Sequence, residues 1–271
     1  TDALGHYSIQ LTAAQTGGEA LSASAQDVAG NPSNSVTFTG SSSGLPHLAT
    51  IDLIYDNVAN NIGPVLPGRS TNDTTPQLSG TTDIGSSVAV YIDGVKVGNA
   101  IVDATGHWTY DITTPLTETS HTFAVQATNA VGTGAISAPI TITVDLQAPG
   151  IPVITNAIND IPGSLGSIPS GGLTNDARPT LIGTAEKNAL ITISVDGKFL
   201  GTTTAAADGS WSFTPTSALD SSTHIFTATA TDDAGNIGNS SLNYTITIDA
   251  VAPDAPTITL VQNDNGAPLV T

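Results

Sequence analysis

Apolar and polar residues alternate along most of this chain with a period of two. "SVAVYIDGVKVG" alternates on both sides of Asp93-Gly94, and "ALITISVDGKFLG" does the same around Asp196-Gly197. Two alternating runs joined by Asp-Gly predict a β-hairpin, because both turn residues tolerate positive φ. "HWTYDI" and "SWSFTP" alternate from Trp108 and Trp211, and "HTFAVQAT", "HIFTATAT", "APITITVD" and "LNYTITID" predict further strands. No segment carries a helical period. The inward positions Val88, Val90, Trp108, Phe123, Val125, Ile142 and Val144 are expected to fill one core.

The same strands come round again. Thr71-Asn72-Asp73, followed by Pro76, Leu78 and Gly80, returns as Thr174-Asn175-Asp176 with Pro179, Leu181 and Gly183, an offset of 176 − 73 = 103 residues. That offset also joins Asp93-Gly94 to Asp196-Gly197, Gly106 and Trp108 to Gly209 and Trp211, and His121 to His224. Gly5-His6-Tyr7 matches Gly209-Ser210-Trp211, so residues 1–45 read as the second half of a unit. Residues 46–147 and 148–250 read as whole units, and residues 251–271 as the start of a further one. Units of about 100 residues with roughly seven strands predict immunoglobulin-like sandwiches, each large enough to fold alone. The fold class is all-β, with immunoglobulin-like domains in tandem.

The connections carry Pro and Asp. "TVDLQAPGIP" holds Asp145 and Pro149, and "TIDAVAPDAP" holds Asp249 and Pro253. Pro stiffens such a segment. "TFTGSSSGLPHLA" has a Gly/Ser run and no Asp, so that joint is expected to be looser.

Composition narrows the chemistry. There is no Cys and no Met, which excludes disulfides and zinc-thiolate sites. With 23 acidic against 5 basic residues, the net charge of -18 repels nucleic acid and anionic membranes and favours cations. No apolar run is long enough to span a membrane, and no leader segment is visible. The chain opens and closes in mid-pattern, as an excised piece of a longer protein would.

The ordered series TND…P.L.G, DG, G.W, L…H, ATDDAGN and ID..AP resembles the bacterial immunoglobulin-like repeats of giant adhesins exported by type I secretion. These are the BapA-like and SiiE-like proteins of RTX type and the ice-binding adhesins of similar plan. The resemblance covers essentially the whole chain. It implies repeats strung end to end into an elongated rod on the bacterial cell surface, stiffened by Ca²⁺ at or near the joints.

Ca²⁺ takes six to eight oxygens from carboxylates, carbonyls and water. After the third unit the candidate ligands are Asp232 and Asp233 of "ATDDAGN", Asp249 and Asp264. After the second, Asn129 stands in for the loop aspartate beside Asp145, Asp160 and Asp176. After the first, Asp27 and Asp56 remain without a connector Asp. The same residues have a plainer reading. Asp93 and Asp196 read as turn residues, Asp103 and Asp208 as loop residues before a strand, and "TND" as either a ligand or an Asx turn. His121 and His224 read as structural residues at strand starts, and the two tryptophans as core anchors.

Repeated acids at turns and joints give no distinctive catalytic pocket, and no nucleophile or phosphate-loop motif is present, so an enzyme is not expected. The leading expectation is an extender of a surface adhesin in adhesion or biofilm. Its partners would be the neighbouring repeats, with the host or surface ligand bound elsewhere in the parent protein. The alternative is a carbohydrate- or protein-binding module using the long segments "DNVANNIGPVLPGRSTND" and "NDIPGSLGSIPSGGLTND" with Arg69 and Arg178.

Overall fold

The computed structural model describes residues 20–24, 26, 31–33, 36–39 and 44–257. Every regular element among them is a strand. The chain divides into two compact units, one formed by Thr1–Ala148 with Asp233–Asn236, the other by Pro149–Asp232 with Ile237–Thr271.

In the first unit, β1 (Ala20–Ala23) and β2 (Val36–Thr39) form an antiparallel pair. The strands β3 (Leu53–Asp56), β4 (Gly63–Pro64), β5 (Ser70–Thr71), β6 (Gln77–Thr81), β7 (Ser87–Ile92) and β8 (Val95–Ile101) follow. Then come β9 (His107–Asp111), β10 (Ser120–Thr128), β11 (Thr133–Ile136) and β12 (Ile140–Val144). One sheet has the order β4-β3-β6-β9, the other β5-β12-β10-β7-β8, with β11 beside β10.

The second unit repeats this plan. It contains β13 (Val153–Asn159), β14 (Gly166–Ile168), β15 (Gly172–Thr174), β16 (Thr180–Thr184) and β17 (Leu190–Val195). These lead to β18 (Lys198–Thr204), β19 (Ser210–Phe213), β20 (Thr223–Thr231) and β21 (Tyr244–Ile248). Its sheets run β14-β13-β16-β19 and β15-β21-β20-β17-β18.

Alternation decides which side chains meet. Along β10 the pattern is buried at every second residue from His121 to Ala127. Val88, Val90, Phe123, Val125 and Ile142 are fully buried, and Trp108 and Val144 nearly so, as their inward register requires. In the second unit Ile191, Ile193, Phe226, Ile246, Ile248 and Trp211 build the equivalent core. Burying each such side chain contributes about 1.5–3 kcal/mol.

The tryptophan explains the "L.G" pattern. Gly80 stands opposite Trp108 across β6–β9, and Gly183 opposite Trp211 across β16–β19. Each indole lies over its glycine, where any Cβ would overlap the ring and a neighbouring backbone carbonyl, Thr50 or Val153.

The strands outnumber the seven expected because the long segment before each "TND" is not a loop. It folds back as β4 on β3 and then crosses to the other sheet as β5, which pairs in parallel with β12. Gly68, with φ of 78°, turns the chain between the two sheets. Gly171, with φ of 84°, does the same before β15, which pairs in parallel with β21. A side chain at such a φ is strained, so glycine serves there. The Asp-Gly hairpins have positive φ at both residues, 51° and 76° for Asp93-Gly94 and 52° and 75° for Asp196-Gly197.

Candidate cation site

The crossing strand carries the polar cluster of each unit. In the first, Thr71 is the hub. Its hydroxyl donates to Asp56 Oδ2 at 2.5 Å and accepts the Asp73 N–H at 3.0 Å. Its carbonyl accepts the Asp145 N–H at 2.9 Å. Asp56 and Asp73 are both 1% exposed. Asp56 Oδ1 accepts the Val58 N–H at 2.7 Å, and Asp73 accepts the Thr75 and Asn57 N–H groups at 2.8 and 3.1 Å. The carboxylates are thus held by neutral donors. Asn72 Oδ1, between them in sequence, is buried without a hydrogen-bond partner.

The second unit uses the same hub with one substitution. Thr174 accepts the Asp176 N–H at 3.0 Å on its hydroxyl and the Asp249 N–H at 2.8 Å on its carbonyl. Asn159 replaces Asp56. Its Nδ2 donates to Thr174 Oγ1 and to Asn175 Oδ1, both at 2.9 Å. So the amide oxygen that is orphaned at Asn72 is satisfied at Asn175. A carboxylate cannot donate, whereas an amide can.

A cluster of oxygen acceptors with a buried orphan oxygen has the donor chemistry that a hard cation such as Ca²⁺ takes. The acids supply only part of a shell. Among the described residues no three His, Cys, Asp or Glu side chains gather as a metal-holding group. Carbonyls, the Asn72 amide and water would have to complete it.

The expected ligands fall as follows. Asp145 is joined through Thr71 to Asp56 and Asp73 of its own unit, and Asp249 through Thr174 to Asp176. Sequence order alone groups Asp145 with Asp160 and Asp176 instead. Asp160 is exposed and donates its N–H to Asp176 at 3.3 Å. Asp145 and Asp249 also accept the N–H two residues on, from Gln147 and Val251. Asp73 and Asp176 form Asx turns of the same kind, with Thr75 and Arg178. Asn129 Oδ1 caps its own loop, accepting from Val131 and Gly132. Asp233 belongs with the first unit, where Arg69 and the Ser70 N–H engage its carboxylate. Asp232 is half-buried. Asp27 and Asp264 lie outside the described residues.

Thr71 and Thr174 are the members of the clusters that sequence reasoning missed, since "TND" reads first for its Asn and Asp. The repeat offset that pairs Thr71 with Thr174 could have found them. Asp103 and Asp208 do act as loop residues. Thr105 hydroxyl and backbone hydrogen bonds hold Asp103 below the ordinary carboxylate range, and those of Ser210 do the same for Asp208.

No curated protein sequence matches the chain. Solved structures of similar fold include the fibronectin(III)-like modules of Clostridium thermocellum CbhA, at 13% identity over 78% of this chain and 99% of that one, with a TM-score of 0.43. A biofilm-associated protein BSP domain is similar at 22% identity over 69% of this chain and 30% of that one, with a TM-score of 0.28. A tetra-tandem repeat from the extending region of a large adhesion protein is similar at 23% identity over 85% of this chain and 56% of that one, with a TM-score of 0.27. The bacterial Ig-like domain profile matches residues 59–146 and again 154–250, more than half of the chain, each match falling on one of the two sandwiches. The chain belongs to the bacterial Ig-like domain family.

Proposed function

We propose that this chain is a non-catalytic extender segment of a bacterial cell-surface adhesin, with Ca²⁺ stiffening the joints between its repeats. The observation that carries the reading is repetition. Two consecutive bacterial Ig-like domains share strand order, core and Thr-centred polar cluster in one register, as spacer units would. The long segments that a ligand-binding module would use are instead built into the sheets as β4, β5, β14 and β15.

The first cluster, with its orphan amide oxygen, contains the connector aspartate Asp145, where the chain leaves its unit. An ion bound there would restrain the connector and so the neighbouring repeat. For an extracellular module an affinity of about 10⁻⁴–10⁻³ M is typical. A chain exported with little Ca²⁺ bound would stay pliable and stiffen outside the cell. At a concentration 100 times Kd, binding adds about 2.7 kcal/mol of stability.

Calorimetric titration and small-angle scattering test this together. Ca²⁺ is expected to evolve heat and to lengthen the particle, and chelator to reverse both. Asp56→Asn copies the natural residue Asn159, so the unit should still fold. It is expected to lose one binding event, because the introduced amide could donate to Asn72 Oδ1 as Asn159 does to Asn175. Heat and particle length both indifferent to Ca²⁺ would refute the proposal.

A further inference from the structure

We propose that the Asp196-Gly197 hairpin of the second unit is fastened by the buried His224 protonated on both nitrogens, so that the fastening holds while the ring is charged and lets go at alkaline pH.

The pairing of β7 with β10 sets Ile92 opposite Phe123 and continues into the turn, where the Asp93 N–H donates to Thr122 O at 2.9 Å. His121 therefore comes beside the turn, with its side chain 7% exposed. Its Nδ1 lies 2.6 Å from Asp93 Oδ2 and its Nε2 lies 2.9 Å from Thr117 O. His224 repeats this, with Nδ1 2.7 Å from Asp196 Oδ2 and Nε2 3.0 Å from Asp220 O. A carbonyl oxygen only accepts, so each Nε2 donates at this shorter contact, the Thr117 and Ser222 hydroxyls lying farther off at 3.4 and 3.3 Å.

The Nδ1 proton follows from the aspartate. Asp93 Oδ1 accepts the Thr122 N–H at 2.8 Å, and Asp196 Oδ1 accepts the Ile225 N–H at 2.9 Å. Burial works against the Asp93 anion, but the Thr122 N–H and His121 outweigh it and leave its pKa lowered. The Ile225 N–H and His224 lower that of Asp196. Both aspartates are therefore anions across the neutral range and cannot donate. His224 Nδ1 must donate instead, and a ring that donates from both nitrogens is an imidazolium.

The groups facing His224 are Asp196 from the hairpin and Asp220 from the loop before β20, whose Oδ1 is 3.3 Å from Nε2. Ser222 Oγ lies 3.3 Å from Nε2, and the Phe226 ring centroid lies 6.4 Å away. Lys198 acts on Asp196 across the turn. Facing His121 are Asp93 and the Thr117 carbonyl and hydroxyl. Burial opposes the charge on His224, but Asp196 and the Asp220 carbonyl outweigh it and leave its pKa above the ordinary 6.5. A raised histidine pKa contributes stability that is complete below the unfolded value and is lost as pH rises through the folded one. The depressed Asp196 value adds a loss on the acid side, as pH falls through it. The fastening thus has a window with two edges.

Nitrogen-15 spectra of the imidazoles in the whole chain test the proposal. Both ring nitrogens of His224 are expected to be protonated at pH 6.5. On raising the pH, His224 should lose its proton later than an unfolded-chain histidine does. The denaturation midpoint of the second unit should fall between pH 6 and 9, and the fall should vanish in Asp196→Asn. A neutral His224 ring with one bare nitrogen at pH 6.5 in the wild-type chain overturns the proposal whether or not the variant folds. So does a midpoint that is flat with pH.

Discussion

Trp211→Ala is expected to destabilise the second unit by about 3–5 kcal/mol, the cost of deleting a large buried aromatic and leaving a cavity. In scanning calorimetry this lowers the Tm of that unit by about 12 °C or more. The first unit has a core cluster of its own, around Trp108, so its transition should hardly move. Trp211→Phe is the informative control. Trp211 Nε1 is buried without a hydrogen-bond partner, as is Trp108 Nε1, so the indole N–H adds nothing to the fold. Phenylalanine keeps most of the apolar volume and removes an unpaired donor whose burial costs about 1–3 kcal/mol. Trp211→Phe should therefore retain most of the wild-type stability. An alanine variant with an unshifted second transition would show that the tryptophan does not anchor this core.

Gly183→Ala should cost about 3 kcal/mol, at the upper end of the overpacking range, although only one methyl is added. That methyl would overlap the Val153 carbonyl oxygen and the Trp211 ring at once. The carbonyl is backbone on the neighbouring strand, and the ring is wedged in the core, so neither can swing away. Gly197→Ala, at a hairpin tip open to solvent, adds the same methyl at a φ of 75°. It should cost only about 1 kcal/mol, from backbone strain. Chemical denaturation that ranked these two the other way would mean that the β13–β16 pair has slack beside the indole.

Much of the sandwich is legible because burial has a period of two. His121, Phe123, Val125 and Ala127 declare their face without reference to any distant residue. The crossing strands are not legible in that way. β5 has only two residues, too few to show a period, and lies among Gly and Pro, which read as loop. The polar cluster is hidden for another reason. Asp145 joins Asp56, Thr71 and Asp73 only because β5 pairs with β12, a contact between chain positions far apart. The acids could be seen in the sequence, but their grouping by unit could not. The histidine presents an intermediate case. His121 and Asp93 share the repeat offset with His224 and Asp196, yet nothing in the spacing says that they touch; the β7–β10 register does.

The parallel pairing of β5 with β12 also governs how a unit bears tension. A load drawn through the chain pulls β5 from its amino end and β12 from its carboxyl end. In parallel strands those ends lie at opposite extremes of the ladder, so the load shears the strands along their length rather than unzipping them. In the first unit the bonds Gly68 N–H to Thr141 O, Thr143 N–H to Arg69 O and Asp145 N–H to Thr71 O must then yield together. Gly171 N–H to Thr245 O and Asp249 N–H to Thr174 O hold the second in the same way. A strand of two or three residues, of little weight in a thermal melt, becomes the mechanical clasp of its unit. In single-molecule pulling, Thr71→Pro, which bends this strand and removes the hydroxyl of the hub, should lower the rupture force of the first unit far more than that of the second.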